Sequence, residues 1–144
     1  MTQSTHKNIA EMVQAVSVVE PDGTRWIDVY TVPGTIELLG AAMAEPAQAL
    51  GVNAVVSWLD SDECVVAHVV AARLGVPRAA AELDLGQLTL YPTLPGGSSV
   101  LIVATAFTAS RPIASVRALL ENAGHTVVAA ASLDPESGIV LTTF

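Results

Sequence analysis

Two short segments hold residues whose types and spacing could do chemistry, and each leads from an apolar run into a helix start. In the first, Val100–Ala104 gives way to Thr105, Thr108, Ser110 and Arg111 ahead of Pro112. Hydroxyls and a guanidinium at a helix N-terminus, where backbone N–H groups lack intrahelical partners, are the donors that a phosphate or carboxylate needs. A plainer reading makes Ser110 an N-cap, Pro112 a first-turn residue and Arg111 a solvated side chain. In the second segment, Ala54–Trp58 leads into Asp60, Ser61, Asp62 and Glu63. Trp58 offers a ring for stacking, and Asp60 and Ser61 a polar turn. The three carboxylates could draw a cation, but acidic residues are also what the dipole favours in a first helical turn. No converging oxygens from elsewhere can be identified, so no metal site is assigned. Cys64 and His68 stand four apart on one helical face, a spacing that suits a nucleophile–base pair or a packed thiol beside a surface imidazole. No catalytic residue is identified.

Positioning such loops requires strands alternating with helices. Helical spacing covers His6 to Val16, and Pro21-Asp22-Gly23 is a turn between Val16–Val19 and Trp26–Val32, which predicts a β-hairpin. Thr35 precedes a helix over Ile36 to Leu50, bent at Pro46. Ala54–Trp58 reads as a buried strand. Asp60 or Ser61 caps a helix to about Leu74, with Glu63 placed as in a capping box and Gly75 as its stop. Arg78–Leu83 is a further strand and Gln87–Tyr91 a β arm. Pro92–Ser99 is a loop, followed by strand Val100–Ala104, helix Pro112–Ala123 with Gly124 beyond it, strand Thr126–Ala131 and an extended Ile139–Phe144. This alternation predicts an α/β fold with a doubly wound, mainly parallel sheet and an N-terminal β-hairpin.

Composition agrees. The 144 residues suit one domain, 1–144, and 51% are apolar with only 14% charged, a balance that folds. Fourteen acidic residues against six basic give a net charge of −8, which argues against nucleic acid as a partner. Cys64 is the sole cysteine, so no intrachain disulfide can form. The polar Met1–Asn8 start and the absence of a long apolar run point to a cytoplasmic protein without a membrane partner. The scarcity of charge on the helices points to self-association, with a homodimer expected.

The segment Val100–Asp134, "VLIVATAFTASRPIASVRALLENAGHTVVAAASLD", resembles the core of the type I phosphoribosyltransferases. Gly51–Pro77, "GVNAVVSWLDSDECVVAHVVAARLGVP", resembles their pyrophosphate-loop strand and helix, and Thr24–Gly40 is similar to the N-terminal part of orotate-type members. The resemblance implies a dimer, a phosphoribosyl pyrophosphate loop at Thr105 to Arg111, and Mg²⁺ only where transferase activity is retained.

The departures fall on functional positions. Where the family carries two adjacent carboxylates, this chain has Ala104 and Thr105. Where the family carries a Thr/Gly-rich cradle, it has Thr108, Ala109, Ser110, Arg111 and Pro112. Leu83–Ser99, the place of the family's basic flap, holds neither Lys nor Arg. These differences imply a phosphoribosyltransferase-like protein with a degenerate loop, non-catalytic or altered in activity, that binds a phosphate-bearing small molecule or acts as a regulatory or partner subunit. The alternatives are a divergent orotate-type enzyme of nucleotide metabolism, with Thr108, Ser110 and Arg111 holding phosphate, and an oligomeric scaffold without a small ligand.

Overall fold

A computed structural model describes residues 2–106 and 111–144, with side chains from residue 8 onward. It opens with helix α1 (Thr2–Val16) and a small antiparallel pair, β1 (Ser17–Val19) and β2 (Arg25–Ile27), joined through the expected turn. The second arm of that hairpin is shorter than the sequence suggested. Asp28 ends it, because its carboxylate accepts the backbone N–H groups of Tyr30 and Thr31 and turns the chain out of the pairing.

Helix α2 (Pro33–Gln48) starts two residues ahead of Thr35, with Pro33 in the first turn where its missing N–H costs nothing. Pro46 lies inside it. Strand β3 (Ala54–Trp58) and helix α3 (Ser61–Leu74) follow as expected. Gly75 stops α3 at φ 68°, a conformation that a side chain disfavours.

The rest of the chain supplies β4 (Arg78–Asp84), β5 (Gln87–Tyr91), β6 (Ser99–Ala104), α4 (Ile113–Asn122), β7 (Thr126–Asp134) and β8 (Gly138–Thr143). A six-stranded sheet runs β5-β4-β3-β6-β7-β8. Its four central strands are parallel, and each edge strand returns antiparallel, so the β5 arm and the extended C-terminal piece are both sheet members.

Two apolar layers flank the sheet, which makes it doubly wound. One joins residues of α1, α2 and α3 (among them Val13, Leu39, Met43, Val66 and Val70) to Val55, Leu101, Val103 and Ala129. The other packs Val116 and Leu120 of α4 on Val56, Val100, Ile102 and Ala130. Helices α2 and α3 meet closely at Gly40. A Cβ there would collide with Val69 Cγ1, so the absence of a side chain lets α3 seat at its observed depth.

Candidate functional site

The strand order reverses between β3 and β6. From β3 the chain moves outward to β4 and β5, then crosses back to β6 on the other side. The crevice outside the carboxyl ends of these two strands is where open α/β sheets place ligands. Among the described residues it is framed by the loop from Trp58 to Ser61, by Thr105 after β6 and by Arg111 and Pro112 ahead of α4.

The two loops meet through charge. Arg111 Nε lies 3.0 Å from Asp60 Oδ2, and its Nη1 lies 3.5 Å from Glu63 Oε1 and 3.8 Å from Asp62 Oδ1. Thr105 joins the cluster from the end of β6, one residue past the strand. Its backbone N–H donates to Glu63 Oε1 at 3.1 Å and its hydroxyl to Asp62 Oδ2 at 3.2 Å. The β2 end contributes as well, because the Ile27 N–H donates to Asp62 Oδ2 at 3.4 Å. Asp62 also accepts the N–H of Glu63 at 2.9 Å, a first-turn bond that the helix N-terminus leaves open for it.

Burial makes these contacts matter. The Glu63 side chain is fully buried (0% exposed), whereas that of Asp60 is 44% exposed. Glu63 Oε2 has no hydrogen-bond partner among the described residues. Removal from water, reinforced by the Asp62 and Asp60 charges, pushes the Glu63 carboxyl up to about 7, against the Thr105 N–H and Arg111, which favour its charged form.

The expected site residues are thus placed as follows. Thr105 is buried, and both its N–H and its hydroxyl are engaged by α3. Thr108 and Ser110 lie outside the described residues. Arg111 is part-buried and turned onto carboxylates. Asp60 is the N-cap residue of α3 but makes no side-chain capping bond, and Glu63 turns to Thr105 instead of closing a capping box. Ser61 is the exposed first residue of α3. Trp58 is half-buried against the α4-side core, and its indole N–H is buried with no partner among the described residues.

Asp62 and Glu63, read from sequence as capping and solvating charges, form the buried heart of the site. A signal for this was present: opposite charges on two strand-end loops flanking a strand-order reversal must approach each other.

Among the described residues, no group of three or more His, Cys, Asp or Glu side chains is arranged to hold a metal ion. The acidic set closes on a guanidinium, an arrangement that does not suit Mg²⁺. Cys64 and His68 face one hollow but do not hydrogen-bond to each other. The Cys64 thiol donates to the Trp58 carbonyl at 3.6 Å, and His68 Nδ1 accepts from Arg78 Nε at 3.4 Å. His125 is buried and structural, its Nδ1 accepting the Ser98 N–H at 3.2 Å. No helix among the described residues is long and apolar enough to cross a membrane.

Neither a family model nor a curated protein matches the sequence. Solved structures do match the fold. Adenine phosphoribosyltransferase from Thermoanaerobacter pseudethanolicus superposes with a TM-score of 0.70 at 15% identity, over 86% of each chain. The same enzyme from Rhodothermus marinus gives 0.68 at 20% identity, over 88% of this chain and 85% of the other. A hypothetical protein from Neisseria gonorrhoeae with bound ppGpp gives 0.54 at 18% identity, over 69% and 66%. The α/β sheet, its doubly wound helices and its flanking hairpin are therefore those of the phosphoribosyltransferase fold.

Proposed function

We propose that this protein uses the phosphoribosyltransferase fold without carrying out ordinary phosphoribosyl transfer, and serves as a binding or regulatory subunit for a phosphate-bearing small molecule held at Arg111. The observation that carries this reading is the engagement of Thr105 and Arg111 by the carboxylates of α3. Ala104 and Thr105 supply no carboxylate for ribose hydroxyls. The loop after β3 presents acids where pyrophosphate needs amides and cations, and like charge repels it. The ppGpp-bound neighbour and the adenine phosphoribosyltransferases motivate the choice of probes.

The test is a pyrophosphate-release assay with phosphoribosyl pyrophosphate, Mg²⁺ and a panel of adenine, hypoxanthine and orotate, run beside thermal-shift titrations with AMP, ppGpp and phosphate. Release at background together with a shift for a phosphorylated ligand is expected. Release well above background would overturn the non-catalytic reading, and no shift for any ligand would overturn the binding one.

A second reading, self-association, rests on Leu83, Leu85 and Tyr91, which are exposed by 63%, 100% and 81% along the β4–β5 hairpin. Leu83 and Tyr91 lie on opposite faces of this edge hairpin, and exposed apolar side chains on a sheet edge are candidates for contact with a second chain. A homodimer is expected by light scattering, and Leu85→Ser with Tyr91→Ser should shift it toward monomer.

A further inference from the structure

We infer that Glu63 acts as an internal competitor for the Arg111 guanidinium: when charged it holds the cation against α3, and when neutral it yields it to an incoming anion. This deepens the binding reading given above and rests on it.

The geometry supplies the competitor. A phosphate at this end of the sheet needs the Arg111 guanidinium, and that group is already shared between Asp60 Oδ2 and Glu63 Oε1. The two holders differ in kind. Asp60 is half-exposed, and a pairing in contact with water is weak and easily exchanged. Glu63 is sealed from solvent, so its attraction is not screened and it cannot swing away to be hydrated. One of its oxygens accepts the Thr105 N–H while the other has no partner among the described residues, an unmet acceptor that a proton would satisfy.

The surroundings set where that proton binds. Asp60 and Asp62 on its own helix disfavour the Glu63 charge, and Arg111, from the segment before α4, favours it. Thr105, just after β6, contributes its N–H and hydroxyl, and β2 only the Ile27 N–H, which reaches Asp62. The α2 carboxylates Glu37 and Glu45 are exposed and are not among the groups acting on it. With its carboxyl raised to about 7, Glu63 changes charge around neutral pH. Protonation removes the buried half of the hold on Arg111 and leaves the exposed half.

The direction of the effect separates it from the chemistry of the ligand. A phosphomonoester gains negative charge as pH rises through about 6, which by itself favours binding at higher pH. The competitor predicts the opposite. If binding requires neutral Glu63, the dissociation constant for AMP rises about tenfold between pH 6 and pH 8 by proton linkage.

The experiment is calorimetric titration of AMP at both pH values into the wild type and Glu63→Gln, with arginine side-chain ¹⁵N spectra of the ligand-free wild type over the same range. Tighter binding at pH 6 in the wild type, with that preference lost and pH 8 affinity restored in Glu63→Gln, is expected. Equal pH dependence in the two proteins, or tighter wild-type binding at pH 8, would overturn the proposal. Failure of AMP to bind either protein at either pH would remove the ligand reading alone. The hold itself is then decided by the Arg111 Nη–H signals, since Nη1 is the atom that faces Glu63: a shift and faster exchange as the pH falls through 7 support it, and invariant signals overturn it.

Discussion

Arg111 and Glu63 approach to 3.5 Å across the crevice between two strand-end loops, and the acid is the fully buried partner. Their union ties the start of α3 to the segment before α4. It also puts a charge where water cannot reach, which an opposite charge offsets only in part.

The first consequence is a stability profile. Glu63 binds its proton more tightly in the folded chain than in the unfolded one, about 7 against 4.5. The favourable contribution is complete below 4.5 and is lost as pH rises toward 7, at a total of about 3 kcal/mol. The lowered carboxyls of Asp22, Asp28 and Asp134, each held by nearby N–H groups or hydroxyls, act in the opposite sense at the acid end. Urea unfolding from pH 4 to 8 should therefore show a maximum near pH 5 and a decline above it, and Glu63→Gln should flatten that decline.

Removing the cation should make this worse, and in a pH-dependent way. Arg111→Ala leaves the α3 carboxylates facing one another with no counter-charge. At pH 8 the expected loss is about 2–4 kcal/mol, falling toward about 1 kcal/mol at pH 6, where Glu63 takes up a proton. A loss independent of pH would mean that Arg111 contributes mainly through the packing of its stem.

Placing an acid at the end of β6 should destabilise the fold. Thr105 is buried against Asp62 and Glu63, so Thr105→Asp adds a third carboxylate to a closed space and should cost about 2–4 kcal/mol. Combining it with Glu63→Gln should recover part of that loss. Thr105→Ser keeps both hydrogen bonds and should stay within about 1 kcal/mol of the wild type. Thermal melts of the four proteins decide the matter.

The helix that carries the acids is seated through one glycine. Gly40→Ala forces a methyl into Val69, so α2 and α3 must separate or Val69 must move, at about 1–3 kcal/mol. Because α3 also delivers Glu63, the ¹⁵N shift of the Arg111 Nε–H should respond in this variant although the substitution lies outside the site.

Much of the frame was legible. Apolar runs bounded by turn residues fixed β3, β6 and α3 almost to the residue, because Gly75 and the acids around Asp60 leave little freedom at either end of α3. The antiparallel edges were harder. Gln87–Tyr91 and Ile139–Phe144 carry no pattern that tells a sheet edge from a free arm, and only pairing with β4 and β7 decides it.

The site was legible in composition but not in arrangement. Asp62 and Glu63 occupy first-turn positions that the helix dipole rewards wherever they point. Their burial follows from β6 lying beside β3, a long-range fact that the local pattern around α3 does not carry. The same fact turned Arg111 from a free cation into a paired one.

Trp58 ends β3 at this crevice with its ring in the core and its indole N–H unpartnered among the described residues. The other tryptophan, Trp26, sits on the hairpin and donates to Glu20 at 2.7 Å. Substituting Trp26 by Phe would leave a single fluorophore a few residues from Asp60 and Glu63. Its emission would then report optically, without any label, when the charge beside it changes or a ligand arrives.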